Sequence, residues 1–261
     1  MSGARVPTYA VMAGLAFVLL GLGVAWHFTA PIPQPEAYHR FFDQTTCFGV
    51  PHCRDTLSNI PFIVVGLLGA WFVGSSRASP RFIDRREKLP YACFFIAVAA
   101  TGVWSGYYHL APDNPRLAWD RAGIALAFAS WFCAVVSDRA SAAWGLRLLL
   151  PLLAASVGTV VYWITGELAG QGDLRPYLLV QLTPYLLVPV LLRACPARYR
   201  GGDVTVLVMA LYALALLCDR YDRPIAEALG FVSGHTLKHL AGALAAAVVL
   251  LGIARRQPAR L

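Results

Sequence analysis

Charge is what this sequence has least of. Only 14% of its 261 residues are Asp, Glu, Lys or Arg, where a soluble domain carries about 25%. With 58% hydrophobic residues and a mean hydropathy of +0.58, the chain has too much apolar length for one soluble core. Lysine is almost missing: Lys88 and Lys238 are the only two, and the other basic residues are arginines. That arginine- and alanine-rich usage points to a GC-rich bacterial genome. No internal repeat, long low-complexity segment or soluble domain interrupts the apolar runs. No C-x-x-C pair is present, so the six cysteines do not form a metal ribbon. The net charge of +8 would raise the question of nucleic acid in a soluble protein. Here the arginines sit in short loops, where they act as topology determinants and anionic-lipid contacts, and no nucleic-acid partner is expected.

What is there is a series of long apolar runs. About 20 residues cross a bilayer, and eight such runs are predicted, at 9–29, 56–76, 89–110, 117–137, 142–165, 174–193, 203–220 and 229–254. The fold class expected is all-α: a polytopic membrane helix bundle with a seven-helix core and one extra N-terminal transmembrane helix. The parts are that helix (1–30), an exoplasmic loop (31–55), the seven-helix core (56–254) and a tail (255–261). The first run is longer than the 7–15 residues of a signal-peptide core and lacks a clear small-x-small cleavage site. It reads as a retained helix, with a cleaved signal as the alternative. The loop opens extended, with Pro31, Pro33 and Pro35. Asp55 is expected to cap the helix that follows, with Ser58 and Asn59 one turn inside it.

The polar residues inside these runs are the candidates for chemistry, because such groups are costly in a membrane and usually functional. His235 and His239 are four apart near the start of the last run, so they share a helix face. His109 lies at the end of the run 89–110. Alternating helix directions place all three at one membrane boundary. Ser105 is one turn before His109, and Asp120 follows after a short turn, so both belong to that boundary; so do Ser58, Asp219 and Asp222. Three histidines suit a catalytic zinc site, which uses three protein ligands and leaves a fourth position open. Asp120 could take a proton from an attacking water and Ser105 could donate to a developing oxyanion, as amide or ester hydrolysis requires. The bland alternatives are a dipole-favoured Asp120 at a helix start, a Ser105 bonded back to its own helix, an interfacial Asp219–Arg220 pair, and His27, His39 and His52 as ordinary interfacial residues.

Ser105-x-x-x-His109, Asp120 eleven residues on and His235-x-x-x-His239 in the last helix together resemble the alkaline ceramidase family. It belongs to the CREST superfamily of seven-helix membrane hydrolases, which includes the adiponectin receptors. Asp55-Thr56-Leu57-Ser58-Asn59 resembles the segment that opens the family's first helix, and the resemblance covers about residues 40–254. It implies zinc on His109, His235 and His239, with Ser105 and Asp120 as catalytic neighbours. It also implies cleavage of ceramide-like lipid amides to a sphingoid base and a fatty acid. Two departures stand out. Of the family's calcium cluster only Asp43 and Asp55 remain, with His52 where a glutamate is expected, so the calcium site reads as vestigial. Arg121 follows Asp120 where an acidic residue is expected, which affects the head-group contacts.

Two rival readings come from other classes. A receptor or regulator with a structural zinc would use four protein ligands, and no fourth strong ligand is evident apart from Asp120. A haem-binding cytochrome would need histidine pairs on two facing helices. Sidedness follows from the basic residues flanking the runs. Arg5, the group from Arg77 to Lys88, Arg139, Arg147, the group from Arg193 to Arg200, and Arg255, Arg256 and Arg260 flank one side. Only Arg40, Arg54, Arg116, Arg175, Arg220 and Arg223 flank the other. The richer side is predicted to be cytoplasmic. The expectation is therefore a multi-pass protein of a bacterial inner membrane, both termini cytoplasmic and the histidines facing the periplasm. Cys47 and Cys53 then lie in an oxidising space, and a disulfide between them is predicted.

Overall fold

The computed structural model describes residues 8–259, so Arg5 and Arg260 of the charge count lie outside the described residues. The chain is an all-α bundle, 77% helical, and six of its described helical segments are long and apolar enough to cross a membrane. It is therefore a multi-pass membrane protein. The helices are α1 (Thr8–His27), α2 (Cys53–Leu57), α3 (Ile60–Gly74), α4 (Lys88–Leu110), α5 (Asn114–Arg139), α6 (Ala142–Leu168), α7 (Arg175–Ala194), α8 (Thr205–Arg220), α9 (Asp222–Leu229) and α10 (Gly234–Arg255). The only strands among the described residues are β1 (Tyr199–Arg200) and β2 (Gln257–Pro258), paired antiparallel.

Local chemistry sets the ends of these helices. The Asp113 side chain accepts from the Arg116 amide and Pro115 occupies the first turn of α5, a position where its missing N–H costs nothing. Ser141 and Ser233 cap α6 and α10 in the same way, accepting from the amides of Trp144 and Thr236. Helix α9 stops at Gly230, whose φ of 76° suits a residue without Cβ. Consecutive helices α3 to α6 pack as antiparallel neighbours, while α10 closes the bundle against α3 and α8. Close approach of α3 and α4 depends on small residues, as is usual in membranes. A Cβ on Gly69 would run into the Phe95 ring, and one on Gly66 into the backbone of Ala99. The larger core, around Phe95, Phe132, Leu187 and Val249, fills the half of the bundle away from His109. A smaller cluster of Phe41, Tyr108, Leu117, Trp163 and Tyr177 fills the other half.

The seven expected core spans are present, the first broken into α2 and α3 and the last preceded by a short helix, α9. Three expectations about their limits are corrected. The last helix begins at Gly234 and not at residue 229, since Gly230 and the Ser233 cap end one helix and start another. The span predicted at 203–220 is the 16-residue α8; Asp203 is tied outside it to Arg139 and to the Thr205 amide. The loop ends at His52 rather than residue 55, and Asp55 is not the helix cap. Asp43 does that work instead: its carboxylate accepts from the amides of Arg54 and Asp55 at 2.8 and 3.1 Å. Helix α10 ends at Arg255, and Gln257–Pro258 pair with Tyr199–Arg200.

Candidate metal centre

The break between α2 and α3 is the first element of the site. The Asn59 amide bonds to the Thr56 carbonyl instead of the Asp55 carbonyl one turn back. The freed Asp55 carbonyl accepts from the Ser58 hydroxyl and the Asn59 side-chain amide, both at 2.9 Å. It also lies 3.1 Å from His239 Nδ1, and Ser58 Oγ is 2.8 Å from the same nitrogen. A carbonyl only accepts, and the Ser58 proton already goes to it. We assign the His239 proton to Nδ1 on these partners, which leaves Nε2 as a bare lone pair.

The second element is the end of α8. Asp219 Oδ1 lies 2.7 Å from His235 Nδ1 and 3.1 Å from Lys238 Nζ. The carboxylate fixes the Nδ1–H tautomer of His235, so its Nε2 is bare as well. Asp222 accepts from the His235 amide at 2.8 Å and from the Phe42 amide at 3.3 Å, tying the first loop to the start of α10. Outer partners of this kind are what orient metal-binding imidazoles.

Helix α4 supplies the third histidine. His109 is fully buried, and its Nε2 is 3.2 Å from His235 Nε2. Its Nδ1 is buried with no hydrogen-bond partner among the described residues. The three rings have centroids 4.7 to 5.0 Å apart. One ligand nitrogen from each lies within 4.8 Å of the others, so the group could hold a metal ion. Two nitrogens bound tetrahedrally at about 2.0–2.1 Å stand about 3.3 Å apart, and the observed 3.2 Å fits. The donor set fits too: His235 and His239 present lone pairs inward and have their protons committed outward.

Around this trio the structure gathers most of the candidates. Ser105 and Asp120, both buried, line one cavity together with Lys238 and His239. Asp120 Oδ1 has no partner among the described residues, and the Ser105 hydroxyl lies beside its carboxyl. The cavity, of about 120 Å³, continues from this polar mouth between apolar walls that include Phe62, Val98, Phe128 and Met209. From the loop, Phe41 covers the trio: its ring centroid is 4.6 Å from both His109 and His235.

Other candidates are placed elsewhere. Cys47 and Cys53 are joined, with Cα atoms 5.7 Å apart. The two carboxylates of the vestigial calcium site face different tasks. Asp43 accepts from Thr45, Arg54 and Asp55, while Asp55 Oδ1 accepts from the Ser233 and Thr236 hydroxyls at the start of α10. Calcium takes 6–8 oxygen ligands, and these two side chains do not converge to offer them. Asp219 pairs with His235 and Lys238, not with Arg220. His39 bridges the Tyr108 hydroxyl and Asn114 at 2.9 and 3.0 Å. Arg121 turns away from the trio, bonding Gln34 and stacking 4.0 Å from the Trp163 ring.

The sequence assigned no role to Phe41 or Lys238, and for Asp219 it offered only an interfacial pair with Arg220. Only Asp219 left a signal, a carboxylate at the same boundary as the histidine pair. A comparison with models of protein families finds no match, and a comparison with curated proteins finds none either.

Proposed function

We propose that this chain is a zinc-dependent membrane amidase acting on ceramide-like lipids. The observation that carries the reading is the position of the three histidines. One of them, His239, lines an apolar cavity of the membrane bundle at the same end as Ser105 and Asp120, and the other two converge on it. A donor set of three imidazoles leaves one position of a tetrahedral zinc free, as catalytic sites do. Held by His109, His235 and His239, zinc would supply Lewis acidity and a water that ionises near neutral pH. Asp120 Oδ1, which no protein donor occupies, accepts a proton as the amide is attacked, and later returns it to the leaving nitrogen. The Ser105 hydroxyl donates to the oxygen on which charge develops. Phe41 keeps bulk water off the trio from the loop side. The acyl chain lies in the apolar cavity, reached sideways from the bilayer. The resemblance to alkaline ceramidases supports the choice of substrate, and the excess of arginines at the opposite end of the bundle supports a periplasmic site in a bacterial inner membrane.

Purified protein is to be analysed for metal and assayed on N-acyl sphingoid bases with and without chelator. One zinc per chain is expected, with hydrolysis lost on chelation and restored by zinc. Ser105→Ala and Asp120→Asn should keep the metal and lose about 10²–10³ in turnover. Full hydrolysis in metal-free protein, or near-normal turnover in both variants, overturns the reading.

A further inference from the structure

Two cavities are stacked along the bundle on the same helices. The first reaches from Ser105 to Phe94 on α4 and from Asp120 to Trp131 on α5. Each is a run of twelve residues, eleven steps along the helix, or about 16 Å. The second, of about 50 Å³, continues below it and is lined by Tyr91, Asp138, Arg198, Tyr199 and Arg256 among others. Trp131 and Val208 line both cavities, so these two side chains are the partition. The chemistry changes across it. Above, the walls are apolar; below, Asp138 Oδ1 and Arg256 Nη2 are buried without a hydrogen-bond partner among the described residues.

We propose that Trp131 and Val208 form the floor that sets the acyl-chain length this protein accepts, an inference that rests on the acyl chain lying in the first cavity. With C–C bonds of about 1.52 Å and angles of about 111°, an extended chain advances about 1.25 Å per methylene. The distance from the Ser105–Asp120 level to the floor then takes about 13 carbons. Up to that length each buried methylene gains about fourfold in binding. Beyond it a further methylene meets the Trp131 ring, and past the ring it would desolvate Asp138 and Arg256, so the gain stops at the partition. Removing the indole should extend the apolar cavity toward the second one and move the cutoff to longer chains.

The test uses full-length protein in detergent. Saturated fatty acids of 8 to 20 carbons compete for the cavity, read by native mass spectrometry, and the matching N-acyl sphingoid bases are assayed for hydrolysis. Wild-type binding should climb about fourfold per methylene to about 13 carbons and then level off. Trp131→Ala should move that break upward by two carbons or more, and Trp131→Phe and Val208→Ala, milder changes in the same wall, by less. A break that stays in place in all three folded variants, or binding that climbs to 20 carbons in the wild type, overturns the floor. Binding needs no catalysis. A wild-type break that shifts in the variants, without hydrolysis of any amide, supports the floor and sinks only the amidase reading.

Discussion

The two ends of α4 each carry a buried polar cluster, and the two are built on opposite logic. At the far end from the histidines, each charged side chain is paired with an opposite charge, although Asp138 Oδ1 and Arg256 Nη2 themselves stay unpartnered among the described residues. Arg256 pairs with Asp138 at 2.6 Å, and its guanidinium lies 4.0 Å from the Tyr199 ring and 4.3 Å from that of Phe82. Glu87 is fully buried, takes Arg198 at 3.0 Å and is bonded by the Tyr199 hydroxyl. At the histidine end the protein satisfies the outer nitrogens of His235 and His239 and leaves the inner ones facing each other. One cluster closes on itself and ties β1 and β2 to the bundle; the other converges three imidazoles that could hold a metal ion. Burial alone therefore does not mark a functional group; an unmet lone pair among converging ligands does.

The sharpest way to break that contrast is to delete ligands. His109→Ala, His235→Ala and His239→Ala should each abolish metal binding and activity together, measured as metal per folded chain and hydrolysis rate. Any one that retains full occupancy and turnover is not a ligand. The arginine cluster should behave the other way round. Arg256→Met leaves the Asp138 carboxylate buried without its cation, with only the Tyr91 hydroxyl donating to it, a loss of about 3–5 kcal/mol in comparable cases. The unfolding midpoint should drop while the folded fraction keeps its metal, and adding Asp138→Asn should recover part of the loss. Metal lost at the same rate as fold would show that the two ends are coupled.

The smallest effect concerns the loop over the histidines. Burial alone would raise the Asp43 carboxyl, but hydrogen bonds from the Thr45 hydroxyl and the amides of Asp55, Thr45 and Arg54 outweigh it and hold it below its ordinary value. A depressed carboxyl contributes stability above its unfolded value of about 3.9 and loses it as pH falls through the folded one. Protection of the Arg54 and Asp55 amides, taken relative to the intrinsic exchange rate at each pH, should therefore fall on acidification below about pH 4. In Asp43→Ala their exchange should be faster at neutral pH by the equivalent of about 1 kcal/mol. Unchanged exchange in that variant would remove Asp43 as the cap.

The histidine end was legible because helix direction alternates and the ligands sit near helix ends; His109 and His235 need only be assigned to opposite ends of antiparallel helices to meet. The split of the first core span was not, because Ser58 and Asn59 read equally as the first turn of one long helix. The contact of the freed Asp55 carbonyl with His239, 184 residues away, is what the break provides. Arg256 and Arg198 read as charges outside the membrane, since nothing local reveals a partner 118 or 111 residues distant. Phe41 was hidden for the same reason: an aromatic in a polar loop carries no period that says what it covers.

The broken helix also bears on how the site withstands mutation. His239 is held in its tautomer partly by the main-chain oxygen of Asp55, and an oxygen of the main chain belongs to whichever residue occupies the position. Replacing Asp55 would cut its side-chain ties to Ser233 and Thr236 yet leave that acceptor in place. Substitution at Asn59 that let the helix run straight would withdraw it. Inheritance of this contact is thus vested in the course of the chain, and the residue to guard is the one that bends it.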